Sequence, residues 1–300
     1  MKDFITLLKN AEIDYVENEP MKNHTTFKTG GDAEIFLSPK DESELIKILH
    51  LCRKCGLKPF VFGNGSNLLI SDKGIRNRPV IYIGKSFSYI KDIDETTIEA
   101  GAGGSFTALC NYALSKELSG LEFAFGIPGS CGGAAYMNAG AYGGEMKDVL
   151  VRCNHISLDG VKGAFDSDDL DLSYRHSAYT DSDYIITSVV VKLSKGDKSE
   201  IESKMRELMG RRIDKQPLEY PSAGSVFKRP EGYFAGALIE QSGLKGKRIG
   251  GAMVSEKHAG FIINYDNATT TDILELVKYC QATVKDKFGV ELETEIKAIE

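Results

Sequence analysis

No window of the 300-residue sequence approaches the roughly 18–20 consecutive apolar residues that a membrane-spanning helix requires. The N-terminal segment, Met1–Tyr15, is too acidic and too weakly apolar for a signal peptide, and we predict a short amphipathic helix there. Basic residues are scattered and the net charge is −6, which disfavours a nucleic-acid-binding surface. Repeats and low-complexity segments are also absent. What remains is a globular composition, with 42% hydrophobic and 27% charged residues, long enough for two domains.

The cysteines lack the spacing of a disulfide framework, which favours a reducing, cytoplasmic compartment. They are Cys52, Cys55, Cys110, Cys131, Cys153 and Cys280. Cys52 and Cys55 form a CxxC at the end of a helical pattern, but no second pair completes a zinc site. We therefore interpret them as structural thiols and predict no metal.

A Rossmann fingerprint and a P-loop are missing as well, but two other glycine-rich stretches are present. GNGSNLLI (Gly63–Ile70) follows the apolar run Pro59–Phe62, which predicts a strand and then a turn whose amides can converge on an anion. The longer stretch, Gly120–Glu145, has eight glycines in twenty-six residues yet keeps apolar side chains that a linker would lack. The pair indicates backbone packed against a large planar ligand, with tight turns of a β-rich domain as the alternative.

Hydrophobic periodicity and helix-capping signals predict three regions. In residues 20–83 we predict strands at Ala33–Leu37, Pro59–Phe62, Leu68–Ile70 and Val80–Ile83, with a helix at Asp41–Cys55 that Asp41 and Glu44 cap. In residues 84–194 we predict strands at Thr97–Gly101, Val149–Leu158 and Tyr184–Leu193, with a helix at Ser105–Leu118. After a charged hinge, Lys195–Lys198, we predict helices at Ser199–Ile213, Tyr233–Gln241 and Thr271–Phe288 and strands at Phe261–Asn264 and Glu291–Ile299.

Several motifs, in one order from about Asn23 to Ile299, resemble the MurB family of UDP-N-acetylenolpyruvoylglucosamine reductases. They are NHTTFKTGG (Asn23–Gly31), GNGSNLLI, GIPGSCGGAAYMNAGAYG (Gly126–Gly143), YRHS (Tyr174–Ser177), AGSVFKRP (Ala223–Pro230), GLKGKRIGGAMVSEKHAGFIIN (Gly243–Asn264) and LETEIK (Leu292–Lys297). The resemblance implies an α+β fold, in which a two-subdomain FAD-binding domain of the PCMH (vanillyl-alcohol-oxidase) type precedes a smaller α+β substrate-binding domain.

We accordingly divide the chain into an N-terminal segment (1–28), an FAD-binding domain (29–194, with subdomains at about 29–83 and 84–194) and a substrate-binding domain (195–300). The last strand is a candidate to return to the FAD-binding domain.

The resemblance implies NADPH-dependent reduction of the enolpyruvyl ether of UDP-N-acetylglucosamine to UDP-N-acetylmuramate, a step of peptidoglycan precursor synthesis. FAD would be the cofactor, held noncovalently. The residues expected to hold it are Gly63, Asn64, Gly65, Ser66, Asn67, Leu68, Gly126, Ile127, Pro128, Gly129, Ser130, Gly132, Gly133, Asn138 and Gly140.

Three residues match the family's catalytic positions. Arg175, in YRHS, would meet the substrate carboxylate with a planar guanidinium that stays charged, although a surface salt bridge is its ordinary alternative. Ser225, in AGSVFKRP, would donate the proton, although a turn serine is the commoner case. Glu295, in LETEIK, would hydrogen-bond the carboxylate, whereas by spacing alone it is one of three glutamates on a strand face.

Further residues would contact the sugar nucleotide, which with NADPH is the only partner we expect. They are Tyr174, Arg211, Lys215, Lys228 and Arg229, where Arg229 stands in place of the asparagine of some family members. We expect a monomer that binds neither nucleic acid nor membrane. Two alternatives are another FAD-dependent oxidase or dehydrogenase of the same domain type, which leaves AGSVFKRP and LETEIK unexplained, and a non-catalytic nucleotide-binding module.

Overall fold

A computed structural model describes every residue from Met1 to Glu300. The α-helices are α1 (Lys2–Asn10), α2 (Glu42–Lys54), α3 (Phe106–Ser115), α4 (Cys131–Tyr136), α5 (Lys198–Lys215), α6 (Ala235–Gln241) and α7 (Thr270–Phe288). The strands are β1 (Val16–Pro20), β2 (Asp32–Leu37), β3 (Phe60–Phe62), β4 (Leu68–Ile70), β5 (Val80–Tyr82), β6 (Ile90–Asp92), β7 (Thr97–Gly101), β8 (Leu118–Ser119), β9 (Gly140–Ala141), β10 (Gly144–Glu145), β11 (Leu150–Ser157), β12 (Lys162–Asp166), β13 (Tyr184–Lys192), β14 (Ser194–Lys195), β15 (Arg248–Ile249), β16 (Ala252–Val254), β17 (Ile262–Asn264) and β18 (Lys297–Ile299). Short 3-10 helices occupy Met21–Asn23, Lys85–Phe87, Glu122–Ala124, Met146–Asp148 and Ser167–Leu170. No helix is both long enough and apolar enough to cross a bilayer.

The chain forms two compact units, and neither is continuous in sequence. The first unit contains Met1–Glu17, Ile35–Asn64 and Asn77–Arg211, and the second contains Asn18–Glu34, Gly65–Arg76 and Arg212–Glu300. This division differs from the predicted domains, which place one boundary at the hinge after residue 194. The start of α5 belongs to the first unit because Ile201 and Met205 are buried in its core.

The first unit contains a parallel and an antiparallel sheet. In the parallel sheet β5 pairs with β2 on one side and with β3 on the other. The antiparallel sheet has the order β12-β11-β13-β7-β6, and α4 packs on β13 and β7. The predicted long strands at 149–158 and 184–193 are therefore confirmed as β11 and β13, which pair directly, whereas β6 and β12 were not predicted.

The predicted cap of α2 is confirmed in its main contact. The Asp41 side chain accepts a hydrogen bond from the Glu44 backbone N–H at 2.8 Å. The Glu44 carboxylate, however, accepts from the Lys40 N–H at 2.6 Å rather than closing a capping box on Asp41. The face of α2 formed by Leu45, Ile48, Leu49 and Cys52 is buried, which fixes how the helix packs.

The second unit is built around a small antiparallel sheet, β15-β16-β17, and the helices α6 and α7. Helix α7 begins with a full capping box, in which Thr269 and Asp272 exchange side chain-to-backbone hydrogen bonds. Its apolar stripe is buried from Ile273 to Val284, but Phe288, which the periodicity assigned to the same stripe, is 38% exposed.

The predicted strand Glu291–Ile299 is wrong over most of its length. Only Lys297–Ile299 is a strand, and it pairs in parallel with Leu68–Ile70. The preceding residues pair with the AGSVFKRP segment instead, through Glu295 N–H to Val226 O at 2.8 Å and an isolated bridge at Thr294. The chain thus changes its pairing partner halfway, and no continuous ladder forms.

The predicted helix Tyr233–Gln241 begins two residues late, at Ala235. Gly232 has φ +74°, and the Tyr233 N–H donates to Pro230 O, so this part of the chain forms a turn before the helix starts.

Candidate active site

The two glycine-rich stretches meet within the first unit. Gly63 directly follows β3, as predicted, and a Cβ placed on it would lie 2.4 Å from Ser130 Oγ. Ser130 is the N-cap of α4, and its Oγ accepts a hydrogen bond from the Gly133 N–H at 3.2 Å. A side chain at position 63 would therefore displace the Ser130 hydroxyl, which caps the start of α4.

From Gly65 onward, the first loop belongs to the second unit, where it packs on the NHTTFKTGG segment. Gly65 has φ +62°, and a Cβ on it would lie 2.1 Å from the His24 carbonyl oxygen. The Thr26 N–H donates to Gly65 O at 3.3 Å. The Thr26 Oγ1 is buried and has no hydrogen-bond partner in the chain. A buried hydroxyl without a partner beside such a loop is a donor available to a ligand.

Asn67 forms hydrogen bonds with the LETEIK segment through both its side chain and its backbone. Its Nδ2 donates to the Glu295 carbonyl oxygen at 3.0 Å, and its own carbonyl accepts from the Lys297 N–H at 2.9 Å. The side-chain nitrogen of this predicted cofactor residue therefore ties the loop to the LETEIK segment.

The second stretch presents its backbone at the surface of the first unit. Pro128 and Gly133 are exposed, and Gly126 has φ +81°. The buried side of the segment is fixed against Ala102, which follows β7. The Gly132 N–H donates to Ala102 O at 2.9 Å, and a Cβ on Gly132 would lie 2.7 Å from Ala102 Cβ.

Asn138, also predicted to contact the cofactor, is buried, and its side chain forms hydrogen bonds with protein groups. Its Nδ2 donates to Glu145 Oε2 at 2.8 Å and to Ser173 O at 2.9 Å, and its Oδ1 accepts from the Lys147 N–H at 2.9 Å. Asn138 therefore joins the end of the glycine-rich stretch to the loop that carries YRHS, within the first unit.

Arg175 lies at the tip of that loop in a strained conformation. Its φ is +56°, which a residue with a side chain rarely adopts and which is common at functional sites. Ser173 and His176 close the loop by two backbone hydrogen bonds. The Arg175 guanidinium reaches Gly140 O at 3.4 Å and lies 5.1 Å from the Tyr174 ring centroid. Arg175 thus contacts two other predicted site residues, Tyr174 through its ring and Gly140 through its carbonyl oxygen.

Glu145, which sequence reasoning missed, gives this loop a negative neighbour. Lys147 forms an ion pair with Glu145 at 3.0 Å and lowers the pKa of the Glu145 carboxyl. The hydrogen bond from the Asn138 amide and the positive charge of Arg175 also lower this pKa, whereas burial raises it. The carboxylate therefore stays ionised and places a negative charge near the Arg175 guanidinium.

In the second unit, Ser225 and Glu295 are brought to neighbouring, hydrogen-bonded backbone segments. Ser225 follows Gly224, which has φ +77°, and is half-buried. The next residue, Val226, donates its N–H to Gly260 O at 2.9 Å and accepts from Glu295 N–H at 2.8 Å. Two of the three predicted catalytic residues therefore lie in one unit, and the third, Arg175, lies in the other.

The predicted sugar-nucleotide contacts are also divided. Arg211, in the first unit, has its guanidinium 5.3 Å from the Tyr142 ring centroid. In the second unit Lys215 is exposed, Lys228 forms an ion pair with Glu293, and Arg229 lies 4.5 Å from the Phe234 ring centroid. No group of three or more His, Cys, Asp or Glu side chains is arranged to hold a metal ion.

Comparison with known proteins first defines the class. Residues 33–161 match the family model described as FAD binding domain, and residues 216–299 match the C-terminal domain of UDP-N-acetylenolpyruvoylglucosamine reductase. In fold, the chain is similar to a berberine bridge enzyme G164A variant, with 13% identity, a TM-score of 0.50, and coverage of 75% of this chain and 52% of that one. The chain is an FAD-dependent oxidoreductase with a PCMH-like, α+β fold.

The particular family follows from relatives that match nearly the whole chain. The reductase of Agathobacter rectalis is 49% identical over 299 residues, which cover 96% of this chain and 95% of that one. The crystal structure of the MurB enzyme from Thermus caldophilus has a TM-score of 0.81 at 36% identity and covers 96% of this chain and 99% of that one. The chain belongs to the UDP-N-acetylenolpyruvoylglucosamine reductase family.

Proposed function

We propose that this chain reduces the enolpyruvyl ether of UDP-N-acetylglucosamine to UDP-N-acetylmuramate, with NADPH as reductant and FAD as bound cofactor. The observation that carries this proposal is the end-to-end match, at 49% identity, to a protein with that reductase name. A general FAD oxidase of the same domain type would account for residues 33–161 but not for the match over residues 216–299.

The residues present fit FAD. The Gly63 backbone leaves no room for a methyl group before Ser130, and Thr26 offers a buried hydroxyl that no protein group uses. We assign the 63–68 loop to the pyrophosphate, and the 126–133 segment together with Gly140 to the flavin ring. FAD held by these residues would supply the transfer of hydride from NADPH to the terminal carbon of the enolpyruvyl group.

The chain's own part in the reaction is to hold charge and to supply a proton. Addition of hydride to the terminal CH₂ places negative charge on the adjacent carbon and its carboxylate. We assign the Arg175 guanidinium to that carboxylate and the Glu295 carboxyl to a hydrogen bond with it. Ser225 Oγ then donates its proton to the carbon beside the carboxylate, which completes the saturated lactyl ether.

We assign Tyr174, Arg211, Lys215, Lys228 and Arg229 to the sugar nucleotide. The four cations suit a diphosphate, and the ion pair of Lys228 with Glu293 means that this lysine must exchange its partner or act through it.

We further propose that the protein works as a cytoplasmic monomer without nucleic-acid or membrane partners. Its substrates are a nucleotide sugar and NADPH, and its six cysteines are all unpaired, with burial raising the pKa of the Cys52 thiol to about 12.

The function is tested by incubating the purified protein with NADPH and UDP-N-acetylenolpyruvoylglucosamine. We expect a yellow protein, NADPH oxidation that depends on the second substrate, and a product heavier by two hydrogen atoms. Acid precipitation should release all the flavin as free FAD. A colourless protein that cannot be loaded with FAD would contradict the proposal, and flavin left on the precipitated chain would contradict noncovalent binding.

A further inference from the structure

The imidazole of His258 contacts the backbone that holds Ser225. The Gly260 N–H donates to His258 Nδ1 at 3.1 Å. The Gly260 carbonyl in turn accepts the N–H of Val226, the residue after Ser225, at 2.9 Å. A chain of two hydrogen bonds therefore connects His258 to the segment that carries the proposed proton donor.

His258, Gly260 and Ser225 are tightly packed against one another. A Cβ built on Gly260 would lie 3.0 Å from His258 Cε1 and 3.3 Å from Ser225 Oγ. The hydroxyl and the edge of the imidazole thus border one position on Gly260. On the other side, a Cβ on Gly236 would lie 3.3 Å from His258 Cε1, and the Phe261 ring centroid lies 5.0 Å from that of His258. These contacts fix the imidazole ring, and its hydrogen bond with the Gly260 N–H therefore fixes the position of the Gly260 backbone.

The direction of the hydrogen bond fixes the state of the ring. Nδ1 accepts, so the neutral imidazole carries its proton on Nε2, and a second proton on Nδ1 would break the contact with Gly260. Burial lowers the pKa of His258, the charges of Lys245 and Lys215 act in the same direction, and a backbone hydrogen bond and Glu240 oppose them. Of these groups, Glu240 lies in α6 and is paired with Lys245 at 2.7 Å.

We propose that His258 is a positioning residue that keeps the Ser225 hydroxyl aligned for proton donation through the Gly260 backbone. This inference rests on the proposed function of Ser225. It assigns a role to a histidine that the sequence motifs contain but whose purpose they do not reveal. Neutral His258 accepts a hydrogen bond from the Gly260 N–H, and the Gly260 carbonyl accepts one from the Val226 N–H. Together these bonds keep the Ser225 hydroxyl in a fixed position next to Gly260.

The test compares two variants with opposite ability to accept the Gly260 N–H. His258→Ala loses the acceptor, whereas the side-chain oxygen of His258→Asn can accept from the N–H two residues on and does not titrate. Each enzyme is reduced with one equivalent of NADPH and then mixed with the enolpyruvyl substrate in buffers of different pH. The return of flavin absorbance measures the second half-reaction, and its loss on NADPH addition measures the first.

We expect His258→Ala to slow the second half-reaction about 10–100-fold, the effect of a misplacement on the order of 1 Å, and to leave the first nearly unchanged. His258→Asn should restore most of the rate. Because the pKa of His258 lies below the ordinary histidine value of about 6.5, the wild-type rate should stay constant through that pH and fall only at more acidic pH, and this acid-side loss should be absent in His258→Asn. His50→Ala, which changes an exposed histidine on α2, is the control and should match the wild type.

A second half-reaction in His258→Ala as fast as in the wild type would overturn the proposal, as would an acid-side loss that persists in His258→Asn. If His258→Ala fails to fold, the wild-type profile and His258→Asn decide alone, and a flat wild-type profile overturns the proposal. A wild-type enzyme whose flavin never regains absorbance with the substrate would instead refute the proposed function, and this inference with it.

Discussion

At the scale of single residues, the glycines of the site differ in what an added side chain would meet. A methyl group at Gly63 would press on the hydroxyl that caps α4, whereas one at Gly210, on α5, would meet nothing within 4 Å. The same substitution therefore has opposite consequences at the two positions, and the pair separates a local steric effect from a general effect of removing glycine.

We predict that Gly63→Ala weakens FAD binding about 10–100-fold, because overpacking of this kind typically costs about 1–3 kcal/mol and about 1.4 kcal/mol is tenfold in affinity. Gly210→Ala should bind FAD as the wild type does and be slightly more stable, since alanine is favoured over glycine in a helix interior by about 0.5–1 kcal/mol. Titration of the FAD-free proteins with FAD, followed by flavin fluorescence, measures both. Equal affinities of the two variants would show that the contact of Gly63 with Ser130 is irrelevant to the cofactor.

Several residues of the site could be selected from the sequence, but their local roles could not. Gly63 and Ser130 were both selected, yet their contact depends on how the turn after β3 meets α4. Asn138 was expected at the cofactor, whereas its side chain is spent on Glu145, Lys147 and Ser173. His258 stood in a motif without a role, because its contact with Gly260 becomes visible only when the ring is placed. The sole signal in the sequence was a glycine two residues after the histidine.

At the scale of elements, prediction succeeded where one periodicity governed a whole segment. The stripe of α7 and the cap of α2 were readable because helix packing repeats along the chain and caps are local. The strand at 291–299 was misjudged because its alternation is real, but pairing depends on distant partners, and the chain leaves the AGSVFKRP segment for β4 at Lys297.

The capping box of α7 gives a stability prediction. Thr269 Oγ1 accepts from the Asp272 N–H at 3.0 Å, and Thr269→Ala should lower the free energy of unfolding by about 1 kcal/mol. Thr283→Ala, on the same helix, removes only a bond to the Tyr279 carbonyl and should change that free energy by less than about 0.5 kcal/mol, since alanine is the better helix former. Urea denaturation followed by circular dichroism compares the two, and equal losses would mean that the cap contributes nothing specific.

At the scale of the whole molecule, the chain passes repeatedly from one compact unit to the other. The residues Asn18–Glu34 and Gly65–Arg76 leave the N-terminal half and join the second unit. A sequence reading places boundaries at hinges such as Lys195–Lys198, because composition changes there, but composition carries no signal for segments that belong to a distant part of the chain. The family, by contrast, was accessible from motifs, which need no knowledge of which unit holds them.

The absence of a Rossmann fingerprint from the whole sequence leads to a kinetic prediction. Because neither compact unit carries such a fingerprint, we expect NADPH and the enolpyruvyl substrate to bind in alternation at one place. Initial rates should give parallel double-reciprocal lines, with each substrate inhibiting competitively against the other at high concentration. Intersecting lines that require a ternary complex would contradict this expectation.

The most direct test of the proposed chemistry is stopped-flow measurement of flavin absorbance in Ser225→Ala. Reduction by NADPH should remain nearly as fast as in the wild type, because no proton from Ser225 is needed there. Return of absorbance with the enolpyruvyl substrate should slow by more than the ~10²–10⁴-fold typical of losing a general acid, since alanine has no proton to donate at this position. Arg175→Lys should slow the same step, because an ammonium cannot pair with a carboxylate through two parallel hydrogen bonds. If Ser225→Ala slowed reduction by NADPH and spared the step with substrate, Ser225 could not be the proton donor.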